Sequence, residues 1–288
     1  MPKIKVSLIT PAPYDSCSTY RALGPYMKLD VDLKVFNGAE GFHLWEAVLW
    51  ADVVVIQRPY TDQMVSVATV VKELGRPLVV DWDDDLSCVP DWNPHIESFA
   101  NALPNLIKLS QMADVVTPSS TAIQKKVISW GGKRVELVKN AIDDIFKTLP
   151  KLPRKDHIVW RGGASHQKDM DIAKDMLKAM SHKNTIIFLG DKPEWASELR
   201  QVKTVGILDY ANYIMLLNQL APKMMVLPLV DCPFNHARSD IGAQEAYLVG
   251  AEVWHNHIGE YKNLPTKGTP RWLSETNAQR MQILESLV

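Results

Sequence analysis

The sequence predicts an α/β fold in two halves, each built on an open parallel sheet. Three observations lead there. Short β-branched runs alternate with longer amphipathic stretches along the 288 residues. Several of those runs are continuously apolar rather than alternating, the pattern of parallel strands covered on both faces. A stretch rich in proline and charge, Lys147-Thr-Leu-Pro-Lys-Leu-Pro-Arg-Lys-Asp156, lies at the middle of the chain and divides the runs into two series.

The first series places strands at 3–9, 31–36, 53–56, 77–81, 115–117 and 135–138. The second places them at 158–160, 185–189, 204–205, 224–227 and 252–254. Helical segments separate them; over 168–180, Ile172, Ala173, Met176, Leu177 and Met180 fall on one stripe at the helical period. Strand–helix alternation of this kind implies parallel sheets joined by right-handed crossovers. Two Rossmann-like domains follow, 1–148 and 149–268, with a last helical segment at 269–288 that carries apolar Trp272, Leu273, Met281 and Leu284. Ligands of open α/β sheets bind beyond the carboxyl ends of the strands. Two such sheets facing each other make a cleft, and the loops after strands become the places to look for chemistry.

Composition narrows the function classes. With 32 basic against 33 acidic side chains the formal charge is −1, which excludes a generally basic nucleic-acid coat and an acidic disordered tail. At 46% hydrophobic residues the chain can bury a core without disulfides or a structural metal. Cys17, Cys88 and Cys232 are an odd, widely spaced set, which points to a reducing compartment. No apolar run approaches the roughly 18–20 residues needed to span a bilayer. The first residues enter a strand pattern at once, so the expectation is a soluble, cytoplasmic protein. Neither a phosphate-binding G-x-x-x-x-G-K-[ST] loop nor a G-x-G-x-x-G turn is present. Trp254-His-Asn-His257 reads as loop residues after the last strand.

Four loops could carry chemistry. Trp160-Arg-Gly-Gly-Ala-Ser-His-Gln-Lys-Asp169 runs from a strand into a helix. Gly162 and Gly163 free the backbone to turn, and Arg161, His166 and Lys168 surround the helix start, which suits a phosphate or diphosphate. The plainer alternative is a solvated loop with Ser165 as a helix cap. Pro233-Phe-Asn-His-Ala-Arg-Ser-Asp-Ile-Gly-Ala-Gln-Glu-Ala-Tyr-Leu-Val-Gly250 follows another strand and reads as a loop entering a helix capped near Ser239. Glu245 sits among apolar residues there and needs a partner. That partner is either Arg238 or backbone, or the paired hydroxyls of a ligand such as a ribose.

Val79-Val-Asp-Trp-Asp-Asp-Asp-Leu86 gathers carboxylates at a strand end. They would serve a magnesium site, a general base, hydrogen bonds to sugar hydroxyls, or simply a helix N-terminus. Thr10-Pro-Ala-Pro-Tyr-Asp-Ser-Cys-Ser-Thr-Tyr-Arg21 follows the first strand and offers a second wall for the cleft.

Taken in order, these pieces resemble the GT-B glycosyltransferases, most closely the family 4 type with many phage and bacterial members. The resemblance covers most of the chain. It rests on the aspartate stretch, Ala113-Asp-Val-Val-Thr-Pro-Ser119, Val138-Lys-Asn-Ala-Ile-Asp143, Trp160-Arg-Gly-Gly, Pro228-Leu-Val-Asp-Cys-Pro-Phe-Asn, and Arg238-Ser-Asp with Glu245 and Gly250. It implies an enzyme of the hexosyltransferase kind whose nucleotide-sugar donor sits on the C-terminal half. Arg161 and Lys168 take the places of the family's diphosphate-binding pair and would stabilise the leaving group. Glu245 matches the second glutamate of the E-x7-E pattern, which holds the ribose. The first falls at Ala237, a departure; Asn235, His236 or Arg238 are the candidates to replace it.

The resemblance also implies that Gly162, Gly163, His166 and Ser239 border the donor, with Ser18, Tyr20 and Arg21 reaching it from the first loop. It implies transfer with retention, no required metal, and a 269–288 helix that crosses back onto the N-terminal domain. Asp83 and Asp85 are expected at the acceptor; magnesium or manganese on Asp83, Asp84 and Asp85 is the alternative use. The acceptor is open among a glycan, a lipid, a protein and a modified DNA base. Two rival functions are a sugar-nucleotide-binding protein without catalysis, suggested by Ala237, and a metal-dependent phosphohydrolase built on the aspartates.

Overall fold

The computed structural model, which describes residues 2–40 and 43–288, contains two five-stranded sheets in which every pairing is parallel. The first sheet holds β1 (Lys5–Thr10), β2 (Asp32–Asn37), β3 (Val53–Gln57), β4 (Leu78–Trp82) and β5 (Val115–Pro118) in the order β2-β1-β3-β4-β5. The second holds β6 (Lys155–Gly162), β7 (Thr185–Gly190), β8 (Val202–Val205), β9 (Pro222–Val226) and β10 (Glu252–Trp254) in the order β10-β9-β6-β7-β8. Alternate residues of the central strands enter different apolar clusters. Val54, Ile56, Leu78 and Val80 pack on one face, and Val6, Leu8, Val53, Val55 and Val79 on the other. Burial on both faces is the reason these strands read as unbroken apolar runs.

The order of strands positions the cleft. In the first sheet the chain leaves β1 for β2 on one side and returns to β3 on the other; in the second, β6 is flanked by β7 and β9. The loops after β1, β3, β6 and β9 therefore emerge at the points where strand order reverses, the places where such sheets bind ligands.

Two local expectations are corrected. Residues 135–138 form no full strand; Val135 makes a single bridge to Val116, while Glu136 donates to Val116 O and Val138 to Pro118 O along the edge of β5. The 168–180 helix is broken into Gln167–Asp171 and Lys174–Met180. Between them Ile172 N bonds Asp169 O and Ala173 N bonds Met170 O, a tighter winding that shifts the phase of the stripe. Met170, Ala173 and Leu177 become the buried row, and Ile172 is turned out to 43% exposure. After β9 a short helix, Pro233–His236, comes first, and the next, Ile241–Val249, is capped at Asp240, beside Ser239 as expected.

The final helix, Leu273–Glu285, lies on the first sheet. Ile283 and Leu284 join Val6 and Leu8 in one apolar cluster. Asn277 Nδ2 donates to Pro25 O at 3.0 Å, and Gln279 Nε2 to Leu137 O at 2.9 Å. Among the described residues no helix is long and apolar enough to cross a membrane.

Candidate functional site

Two adjoining cavities lie where the sheets face each other, sharing Ser16, Tyr20 and Arg161 in their walls. The first has Ser16, Cys17, Asp83, Asp84 and Asn140 on the N-terminal side, and Trp160, His166, Pro228, Arg238, Ser239 and Tyr261 on the other. The second, about 270 Å³, is lined by Gly162, Gly163, Leu189, Gly190, Gly206, Ile207, Leu208, Tyr210, Tyr213 and Glu245.

The glycines at the strand ends have a steric reason. Gly190 has φ +107°, and a Cβ there would stand 2.2 Å from Gly162 O. Asp191 N donates to that same oxygen at 3.0 Å, so the ends of β6 and β7 are drawn together as only glycine permits. Gly163, by contrast, is less crowded: a Cβ there would meet only Asp191 Oδ2, at 3.9 Å, and the residue lines the second cavity.

Glu245 is 1% exposed and fully engaged. Arg161 Nε donates to its Oε2 at 3.0 Å and Tyr213 Oη at 2.8 Å, while Tyr20 Oη donates to Oε1. Burial disfavours the Arg161 cation, but Glu245 outweighs it and holds the guanidinium charged. Burial, reinforced by Glu245, pushes the phenols of Tyr20 and Tyr213 well above their ordinary range, so both stay protonated donors.

His166 connects the two loops of the C-terminal half. Its Nδ1 lies 2.8 Å from Asp169 Oδ2, and its Nε2 lies 2.9 Å from Arg238 Nη2. A guanidinium can only donate, so Nε2 must carry the lone pair and Nδ1 the hydrogen. The imidazole is therefore neutral, and burial together with Arg238 holds its pKa below the ordinary value. Buried Asp169 accepts in addition from Val230 N at 2.7 Å and Asn235 Nδ2 at 2.8 Å, which fixes the loop after β9 against the helix start.

The four aspartates at the end of β4 do not act as one group. Asp81 takes Arg21 and Thr117; Asp83 takes Arg58 Nε at 2.7 Å and Nη2 at 2.8 Å; Asp85 takes Lys126, Ser87 and Cys88. Asp84 accepts one bond from Arg58 Nη2, at 2.8 Å. Burial pushes Asp83 up against the pull of Arg58, whereas burial at Asp84 is overcome by Arg238 and Arg58, which hold it below the usual carboxylate range. Among the described residues no group of three or more histidine, cysteine or acidic side chains is placed to hold a metal ion; Asp83 and Asp84 pair with Arg58, and Asp85 with Lys126.

The architecture matches solved structures end to end. The UDP complex of HepE from Anabaena covers 98% of this chain and 90% of its own, with a TM-score of 0.58 at 18% identity. The chain has the GT-B fold. Sucrose-phosphate synthase from Thermosynechococcus elongatus shares it over 99% of this chain and 90% of its own, with a TM-score of 0.59 at 14% identity. The UDP-forming α,α-trehalose-phosphate synthase from Burkholderia vietnamiensis does so over 100% and 88%, with a TM-score of 0.56 at 9% identity. No protein-family model matches the sequence, and no curated protein matches it by sequence. At these identities the likeness is one of fold.

Within the GT-B cleft the structure brings together Tyr20, Asp83, Arg161, Gly162, Gly163, His166, Arg238, Ser239 and Glu245. Glu245 meets Arg161 and not Arg238. Six expected residues are elsewhere. Ser18 is fully buried and accepts from Leu23 N. Arg21, also fully buried, spends its donors on Asp81, Thr117 O, Val138 O and Asn140. Asp85 faces Lys126. Asn235 is buried against Asp169 and Val230 O, and exposed His236 pairs with Asp231. Exposed Lys168 lies over the ring of Trp92 at 4.8 Å.

Sequence reasoning passed over Ser16, Cys17, Arg58, Asn140, Tyr210 and Tyr213. Ser16 and Cys17 stand in the segment after β1, directly before Ser18. Asn140 stands in a quoted motif, and its Nδ2 donates to Ser239 Oγ at 2.9 Å across the cleft. Arg58 directly follows β3, so the rule about strand ends pointed to it; its left-handed backbone, φ +52°, carries no sequence signal.

Proposed function

We propose that this chain is a glycosyltransferase that moves a sugar from a nucleotide-diphosphate sugar, with uridine diphosphate as the leaving group. The observation that carries this reading is the meeting of Arg161, His166 and Arg238 with Gly162 and Gly163, at the strand ends of the C-terminal half. A diphosphate there would face two guanidinium groups, which favour the charge that develops as the glycosidic bond breaks. HepE, solved with UDP bound, and the UDP-forming synthase lend the same nucleotide to the proposal. We further propose a family 4-like retaining transfer in which the two arginines, and no metal, neutralise the leaving group.

The test is binding and hydrolysis of UDP-, GDP- and ADP-sugars, with and without a chelator. Tight binding of a UDP-sugar that Arg161→Ala loses supports the reading. No binding of any donor, or binding indifferent to Arg161→Ala, ends it. The anomeric configuration of the released or transferred sugar, followed by NMR, decides retention, and an acceptor screen across glycans, lipids, proteins and modified DNA bases follows.

One observation favours a second reading, a nucleotide-sugar-binding protein without transfer. Ala237, at the position of the missing glutamate, is 1% exposed and packs with the apolar cluster of the N-terminal half. Asn235 and His236 face away from the cavity, leaving Arg238 alone to replace that glutamate. Donor binding with neither hydrolysis nor transfer on any acceptor would select this alternative.

A further inference from the structure

If the cleft binds a nucleotide, as proposed above, its ligands must be held in some way before the nucleotide arrives. The family resemblance implies two nucleotide ligands in the C-terminal half, Glu245 for ribose hydroxyls and Lys168 for the diphosphate; Glu245 lines the second cavity, and Lys168 stands outside the walls of both. Both are occupied by aromatic side chains of the N-terminal half. Tyr20, from the helix Ser16–Arg21 after β1, donates its hydroxyl to Glu245 Oε1. Trp92, from the loop after β4, presents its ring to Lys168 Nζ at 4.8 Å.

Each aromatic group is a chemical substitute for part of a nucleotide. The phenol offers the carboxylate one O–H donor, as a ribose hydroxyl would. The indole face offers the ammonium a region of negative potential, as a phosphate would. Tyr20 is firmly seated: it is 8% exposed, its ring meets Tyr210 edge-on at 4.5 Å, and it shares an apolar cluster with Ile214 and Ile241 of the C-terminal half. The halves also touch where Lys139 pairs with Glu260 at 2.7 Å, a contact that involves none of the expected nucleotide ligands.

We propose that Tyr20 and Trp92 are nucleotide-mimicking latches, and that a nucleoside diphosphate enters the cleft by displacing both. The consequence is quantitative. A protein whose binding-competent state is only a fraction of the population binds with an affinity reduced by that fraction. Removing the Tyr20 hydroxyl leaves Glu245 Oε1 without its donor while Arg161 and Tyr213 still hold Oε2, so an incoming ribose hydroxyl gains a vacant acceptor. Removing the Trp92 ring frees Lys168 in the same way.

The experiment titrates UDP calorimetrically onto the wild type, Tyr20→Phe, Trp92→Leu, the double variant, and Lys139→Ala as a control. Amide hydrogen exchange over 161–170 and 241–249 is followed without ligand. Each latch variant is expected to bind UDP roughly three- to tenfold tighter, the double variant by about the product, and Lys139→Ala as the wild type does. Exchange over both segments rises in the unliganded latch variants. The proposal is overturned if Tyr20→Phe and Trp92→Leu bind UDP no tighter than the wild type, or if Lys139→Ala tightens binding equally, which would mean general loosening of the halves. Should no form bind UDP, the functional reading fails. The latch rests on that reading and falls with it, whereas UDP binding that is no tighter in the latch variants rejects the latch alone.

Discussion

Arg21 Nη2 lies 2.6 Å from Asp81 Oδ2, with both side chains buried. The pair ties the helix after β1 to the end of β4, and the same guanidinium reaches Thr117 O at 2.8 Å and Val138 O. It is a strut beneath the cleft. Removing one member of a buried pair leaves the other charge uncompensated, at a cost of about 3–5 kcal/mol. Arg21→Ala is expected to lower unfolding stability by that order in urea titrations at neutral pH. A loss below roughly 1 kcal/mol would remove Arg21 from this role.

A second buried arginine predicts the opposite sign. Arg280, in the last helix, leaves Nη2 without a hydrogen-bond partner among the described residues. Burial, and then the nearby charge of Arg21, bring its pKa down to about 10. Replacing a poorly compensated buried charge with an apolar side chain of similar length is often neutral or stabilising. Arg280→Met should therefore raise stability by about 1–2 kcal/mol, and a clear loss in thermal or urea unfolding would contradict it.

The neutral state of His166 sets a pH dependence. Burial and Arg238 lower its pKa from 6.5, so below that value the unfolded chain binds a proton that the native imidazole resists. Its contribution to stability is complete above pH 6.5 and is lost as pH falls through the lower native pKa. His255 is depressed in the same direction by burial, so the measurement is a difference. Wild type should lose more stability than His166→Gln between pH 7.5 and 5.5, and parallel losses would show that His166 is not the titrating group.

Arg58 binds Asp83 and Asp84 at once from a left-handed backbone. Such strain persists only where the surroundings over-determine it. Arg58→Ala removes both pairs and should destabilise the protein by about 2–4 kcal/mol. It should also weaken UDP-sugar binding, because Asp84 would keep Arg238 but lose the counter-charge of Arg58 beside the donor's phosphates. Unchanged stability and affinity would make the contact incidental.

Cys17 borders the cleft, 3.1 Å from Arg58 Nη2, yet burial outweighs that cation and pushes its thiol up to about 12. Cys88 is pushed to about 12 as well, by burial and Asp85. The thiolate is the reactive form. Iodoacetamide at pH 7.5 should leave both unmodified by mass spectrometry over times that alkylate a free thiol fully, and rapid labelling of Cys17 would refute the upward shift of its thiol.

Much of the architecture is legible because periodicity is local. The runs at 53–56, 77–81 and 115–117 are apolar at every position, or nearly so, which requires cover on both faces and hence a parallel sheet. The strand ends then point to the loops, and Arg161, His166 and Arg238 lie on loops found that way. The same reasoning chose Ser18 and Arg21 over Ser16 and Cys17, because which face of a short helix looks into a cleft depends on what packs behind it. It treated Asp81, Asp83, Asp84 and Asp85 as one cluster, whereas alternation along the strand end and the separate positions of Arg21, Arg58 and Lys126 divide them. The broken helix at 172–173 escaped for a related reason: a turn of tighter winding leaves composition unchanged while rotating the stripe.

The sequence by itself determined the two parallel sheets, the α/β class and the loops that could carry chemistry, since each follows from residues close together along the chain. Tertiary structure decided the partners. Glu245 meets Arg161 across 84 positions and Tyr20 across 225; the first contact exists only after β6 and β9 have paired in one sheet, the second only after the two halves have met. A charge can be expected from its letter, but its counter-charge is chosen by topology, because the cost of burying it is met by whichever donors the fold brings within about 3 Å.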